Sequence, residues 1–245
     1  MAFVDHDLHI HSNLSSCAGP KGITQTKENI LKYAERNGFR TICVTDHYWD
    51  EAMPSRIGMW KKENTAWIRS ILPLPQTDSV RFLFGCECDM DMDNVIGVAP
   101  QNYDNFDLII IPTNHLHLSG QTCRGDEDMK ERAALWCSRL DHVLEQNLPF
   151  HKVGIAHLTD TGIMAGRGYL DVLQSISDED YIRLFRYGML RRIIDEMGAD
   201  RVLFGSDFPT CNPAMFVGGV LLDPLITDGE KEKIFSGNAK KLLSC

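Results

Sequence analysis

The residues best suited to chemistry stand near the start of the chain, in Asp7-Leu8-His9-Ile10-His11-Ser12. The apolar opening Met1-Ala2-Phe3-Val4 leads into them as a first β-strand would. Side chains on a strand alternate between faces, so His9 and His11 are expected on one face, roughly 6–7 Å apart. Neutral imidazole is the commonest nitrogen ligand for zinc and its neighbours. Two imidazoles so placed suit a single divalent cation, although an H-x-H pair alone reads equally well as two half-exposed histidines. The rest of the chain tips the balance. His47, Glu87, His115, His157 and Asp207 each stand at or just past the end of another strand-like run. Metal ligands gathered at strand ends supply water whose pKa a bound cation has lowered toward neutrality, which is a hydrolytic reagent.

The elements that must position these groups alternate along the chain. Thr26–Asn37 has helical spacing and stops at Gly38; Arg40–Thr45 is a short β-branched strand leading to His47. A β-α-β unit of this kind implies parallel neighbours and a right-handed crossover. A helix is expected over 59–71 and a strand over Val80–Cys86, which delivers Glu87. Asp89, Asp91 and Asp93 then read as a solvated turn, with Val95–Val98 as a short hairpin partner. Asp107–Pro112 is the most hydrophobic run, as in a strand buried on both faces, and it delivers His115 and His117. A helix over Asp126–Gln146 and a strand over Lys152–Ala156 follow, ending in His157. Helix 178–197 with Ser177 as N-cap, strand Arg201–Ser206 ending in Asp207, and helices over Asp228–Phe235 and Asn238–Leu243 complete the pattern. The expected fold is α/β, a single TIM-like distorted (β/α)7 barrel over 1–245, alternatively (β/α)8. A parallel barrel collects all its strand ends on one rim.

Composition narrows the function. A chain of 245 residues with net charge −9 and pI near 5.4 is a poor partner for a nucleic-acid backbone. No apolar run has the length of a membrane span, and the N-terminus lacks the basic start and apolar stretch of a signal peptide. Eight scattered cysteines with no CxxC pair read as reduced thiols, so a cytoplasmic location is expected. The expected partner is a small-molecule substrate.

The motifs Asp-Leu-His-Ile-His-Ser, Val-Thr-Asp-His (44–47), Gly-Cys-Glu-Cys-Asp (85–89), His115, His157 and Gly-Ser-Asp (205–207) resemble, in this order, the polymerase and histidinol phosphatase (PHP) family. The resemblance implies a cluster of two or three divalent ions, zinc, manganese or iron. It puts one ion on His9, His11, Glu87 and Asp207, with Glu87 bridging to a second on His115 and His157, and His47 at a third. The chain departs from the family at that third site: Ser16 and Cys17 stand where an Asp or His is usual, and Pro209 replaces a His. Cys17 is a possible substitute, since thiolate binds zinc well. A second resemblance runs through Val202–Pro209 and Ile234–Leu243, which are similar to the end of amidohydrolase-superfamily barrels.

Both resemblances imply hydrolysis by a metal-activated water. Glu87, His157 and Asp207 are the expected catalytic residues, with Asp207 positioning the water. Asp7 and Asp46 are expected to orient imidazoles. Arg124, Arg167 and His117 are the candidates for gripping substrate. A phosphate monoester is the favoured substrate class; a C–N or lactone bond is the alternative, and a metal-binding barrel without catalysis is the third reading.

Overall fold

A computed structural model describes residues 4–18, 24–54, 62–157, 194–195, 198–205, 217, 220–221 and 223–243. Strand β1 (His6–Ile10) leads to helix α1 (Lys27–Asn37), which Thr26 caps by accepting the Asn29 N–H and which Gly38 ends. Strands β2 (Thr41–Val44) and β3 (His47–Tyr48) follow, then the short α2 (Thr65–Arg69). Next come β4 (Arg81–Phe84), β5 (Cys86–Cys88), β6 (Ile109–Pro112), α3 (Met129–Glu145) and β7 (Val153–Ala156). Asp128 caps α3 in a reciprocal pair with Glu131. At the C-terminus, α4 (Asp228–Glu232) runs through a π-helical turn, Lys233–Gly237, into α5 (Asn238–Leu243).

Among the described residues all the strand pairs are parallel, in two sheets ordered β1-β2-β4 and β3-β5-β6-β7. Only Thr45-Asp46 separates β2 from β3, and only Gly85 separates β4 from β5. Hydrogen bonds carry the ladder across the break, from Gly85 N–H to Val44 O (2.9 Å) and from Glu87 N–H to Asp46 O (3.0 Å). The two sheets are therefore one kinked set of neighbours, in the sequential order that successive β-α-β units produce. Gly85 sits at the kink because a Cβ there would lie 2.7 Å from both Cys43 Sγ and Leu108 O.

Two apolar layers sandwich these strands. Ile10, Ile42, Val44 and Val80 pack against Ile30 and Ala34 of α1. Leu8, Cys43, Leu83, Ile110 and Ala156 pack with Leu203 and Ala239 on another face.

Among the described residues the strands do not close into a barrel: β1 and β7 are unpaired with each other. Residues 202–205 belong to no strand, although Val202 has extended backbone. One antiparallel bridge, Met90 to Ile96, stands where a hairpin was expected. Asp89 and Asp91 are buried rather than solvated: Asp91 accepts the Asp93 and Val95 N–H groups, which closes the turn internally. Ser177, Arg167 and Asp207 lie outside the described residues, as does most of helix 178–197.

Candidate metal centre

Six of the seven ligand candidates converge. His11 and His157 directly follow β1 and β7, His115 lies three residues past β6, and His47 opens β3 in register with Glu87 of β5. Their imidazoles form a closed ring. Centroid separations are 5.1 Å for His9–His11, 4.7 Å for His11–His47, 5.9 Å for His47–His115, 4.9 Å for His115–His157 and 5.0 Å for His157–His9.

Glu87 stands inside that ring, fully buried. Its Oε2 lies 3.1 Å from His11 Nε2, 3.2 Å from His47 Nδ1 and 3.6 Å from His9 Nε2. Its Oε1 lies 3.1 Å from His157 Nε2 and 3.7 Å from His115 Nε2. Yet neither carboxylate oxygen accepts a hydrogen bond, and His47 Nδ1 also has no hydrogen-bond partner. Buried polar atoms are nearly always satisfied. Five imidazoles gathered about a buried carboxylate whose oxygens accept no hydrogen bond are a donor set for a cation. Nitrogen and carboxylate donors together suit zinc, manganese or iron.

The neighbours fix ring orientation. Asp89 Oδ1 is 2.6 Å from His115 Nδ1, and Oδ2 is 3.5 Å from His47 Nδ1. Asn114 Oδ1 is 3.1 Å from His157 Nδ1, and its amide donates to His157 O at 2.7 Å. His157 needs this support because its φ is +36°, a strained value for a non-glycine residue. Ser15 Oγ lies 2.8 Å from His11 Nδ1 and donates to Asp46 Oδ1 at 2.7 Å, so Asp46 orients His11 through Ser15. Removing such outer partners costs roughly 10–100-fold in metal affinity. Asn114→Ala is expected to weaken metal binding by about that factor with little change in fold, which competition against a chromogenic chelator would measure.

Asp7 is tied to α1 and to its own strand. The pairing register shifts between Asp7 and Ile10, so plain alternation fails along β1. Asp7 accepts the Tyr33 hydroxyl of α1 at 2.9 Å and the His9 backbone N–H at 3.3 Å. His9 and His11 nevertheless meet, with Nε2 atoms 3.1 Å apart.

Two triads of ligand atoms are compact. Ligand atoms of His9, Glu87 and His157 lie within 4.8 Å of one another, and so do those of His11, Cys17 and His47. Burial acts to raise the Cys17 thiol, but His11 and His47 outweigh it and draw the pKa below the ordinary value.

The substrate candidates are placed unevenly. His117 is exposed, its ring edge-on to His115 at 5.4 Å. Arg124 is exposed and engages Asp126 at 3.0 Å and Glu131 at 3.6 Å. Asp89 and Asn114 escaped the sequence reading. Asp89 had a signal, since it sits two residues beyond Glu87, where a strand would place it on the same face.

The C-terminal segment reaches this centre at Gly205. A Cβ there would lie 2.7 Å from His9 Cβ and 3.2 Å from His9 N. Gly205→Ala is therefore expected to push His9 out of the ring and reduce bound metal, as elemental analysis of the purified variant would show.

Residues 166–244, about a third of the chain, match the amidohydrolase family model. No curated protein matches. The match supports a metal-dependent hydrolase resembling the amidohydrolase superfamily, and its span includes Gly205 and Asp207.

Proposed function

We propose that the chain is a metal-dependent hydrolase whose centre is the ring of His9, His11, His47, His115 and His157 around Glu87. The carrying observation is Glu87 itself, a buried carboxylate without a hydrogen bond and faced by five imidazole nitrogens. When bound, divalent ions would lower the pKa of water and polarise the scissile group. The protein's part is to hold and orient. Glu87, His9 and His157 would hold one ion; Asp89, Asn114 and Ser15 fix the ring tautomers. Asp207 keeps the role that the resemblance gives it, binding metal with His9, His11 and Glu87 and positioning the attacking water.

A C–N or lactone bond is the reading we place first. The amidohydrolase match supports it. So does Arg124, whose guanidinium is engaged by Asp126 and Glu131 rather than offered to an anion. Phosphate monoester hydrolysis is the second reading, supported by the PHP-like motifs that carry His9, His11, His47 and Glu87. The test is turnover by chelated and metal-reloaded protein on two panels, one of amides, cyclic imides and lactones, the other of aryl phosphate monoesters. Metal-dependent turnover confined to the first panel is expected. Turnover only of the phosphates, with inhibition by inorganic phosphate, would favour the second reading. Metal bound without turnover on either panel would reject both.

A further inference from the structure

We propose that Cys17, with His11 and His47, forms a second metal position beside the one on His9, Glu87 and His157, and that its thiolate makes this position selective for a zinc-like, thiophilic cation. The inference rests on the reading of the Glu87 ring as a metal centre.

The geometry is local and well fastened. Cys17 lies in a single 3-10 turn, Ser16–Ala18, and its Sγ stands within 4.8 Å of a ring nitrogen of both His11 and His47. The loop is held from both sides. Ser12 donates its N–H and Oγ to Asp46 at 2.7 and 2.6 Å, Ser15 Oγ accepts the His47 N–H at 3.0 Å, and the Ser16 N–H reaches Glu63 Oε1 at 3.1 Å. These bonds tie the turn to the same backbone that carries His47, so the three donors are fixed relative to one another.

Cys17 differs from the other described cysteines. Cys43, Cys86, Cys88, Cys123 and Cys137 are buried, whereas Cys17 is exposed, which gives a cation a path from solvent. Two imidazoles and one thiolate are three donors for a tetrahedral ion, which leaves a fourth place for the Glu87 carboxylate. Glu87 links the two positions. Its Oε2 faces His11 and His47 at 3.1 and 3.2 Å, while its Oε1 faces His157 at 3.1 Å. Soft thiolate favours zinc over manganese or magnesium. Binding converts the thiol to a metal thiolate and releases its proton to solvent.

The test is cobalt(II) reloading of the chelated full-length protein, read by absorption. The wild type should show visible ligand-field bands and a near-ultraviolet sulfur-to-cobalt charge-transfer band. Cys17→Ser should lose the charge-transfer band and bind less cobalt while keeping ligand-field absorption from the remaining position. Its circular dichroism should match the wild type, because serine is nearly isosteric with cysteine. Ligand-field bands without any sulfur-to-cobalt band in the wild type would overturn the assignment and leave the histidine–glutamate centre intact. Persistence of the band in Cys17→Ser would overturn it too, by assigning the thiolate elsewhere. Absence of cobalt from the wild type would instead defeat the underlying reading.

Discussion

Glu87→Gln is expected to abolish metal loading and hydrolysis together while leaving a folded protein. Both Glu87 oxygens face imidazole nitrogens, so this one carboxylate reaches every donor group in the ring. Removing it should cost more than the roughly 10–100-fold in affinity that an outer partner is worth. Turnover falls with the metal, since uncatalysed water keeps a pKa of about 16 where a bound cation brings it to about 7. The fold should survive for a physical reason. A buried charge stripped of its partner costs roughly 3–5 kcal/mol, but imidazoles can shed their protons instead. The expected loss is thus about 1–3 kcal/mol, the range for unsatisfied buried polar groups.

The same substitution has a pH signature in chelated protein. Burial alone would depress His47, but Glu87 and then Cys17 reverse this and push it up to about 10. Burial would raise Glu87, and His47 and His9 hold it well below 4.5 instead. A raised histidine contributes its stability in full below its unfolded value of 6.5, and the contribution is lost as pH rises through 10. A depressed glutamate contributes above its unfolded value of 4.5, and that is lost as pH falls. Chelated wild type should therefore gain most from this contact between 4.5 and 6.5 and weaken toward pH 10. Glu87→Gln should show a shallower alkaline decline, because only Cys17 then still raises His47. Elemental analysis checks the first part, which a variant that retains metal refutes; urea denaturation of chelated protein across this pH range checks the second, which an unchanged alkaline decline in the variant refutes.

The convergence of these residues was legible because residue type and strand position both carry information. His, Glu and Asp at the ends of apolar runs can be counted, and parallel strands bring such ends together. What was not legible depends on side-chain direction and tertiary partners. The register shift in β1 turns Asp7 toward Tyr33, which alternation cannot foresee. Asp89 sits in an Asp-x-Asp-x-Asp run whose polarity reads as solvent exposure, yet His115 and His47 draw it inside. The choice between Cys17 and other third-site ligands hinged on how a short loop folds back. Its anchors, Asp46 and Glu63, lie 34 and 47 residues beyond Ser12 and Ser16. Closure of the strands into a barrel was inferred from alternation alone, and the described residues supply the neighbour order without the closing pair.

Arg139→Met is expected to destabilise the protein by about 3–5 kcal/mol, the scale for disrupting a buried charged network. Arg139 stands inside the helix, and its side chain is wholly buried. Its Nε donates to Thr113 O at 3.0 Å, Nη1 to Asp91 O and Thr122 O at 3.0 and 3.3 Å, and Nη2 to Met90 O at 2.6 Å. Burial draws the guanidinium down to about 10, against the opposing pull of Asp89 and Asp91, so it stays charged at neutral pH. One side chain of α3 therefore gathers the loop after β5 and the loop after β6, which carry Asp89 and His115. Methionine fills the volume but leaves those carbonyls without donors. Lysine restores the charge without the planar fork, so Arg139→Lys should recover only part of the loss. Because Asp89 and His115 ride on the released loops, metal affinity should fall as well, by roughly the 10–100-fold that outer-partner loss brings. Chemical denaturation and chelator competition on the two variants would test this; a loss below about 1 kcal/mol for methionine, within the range of one ordinary hydrogen bond, would mean the loops hold themselves without Arg139.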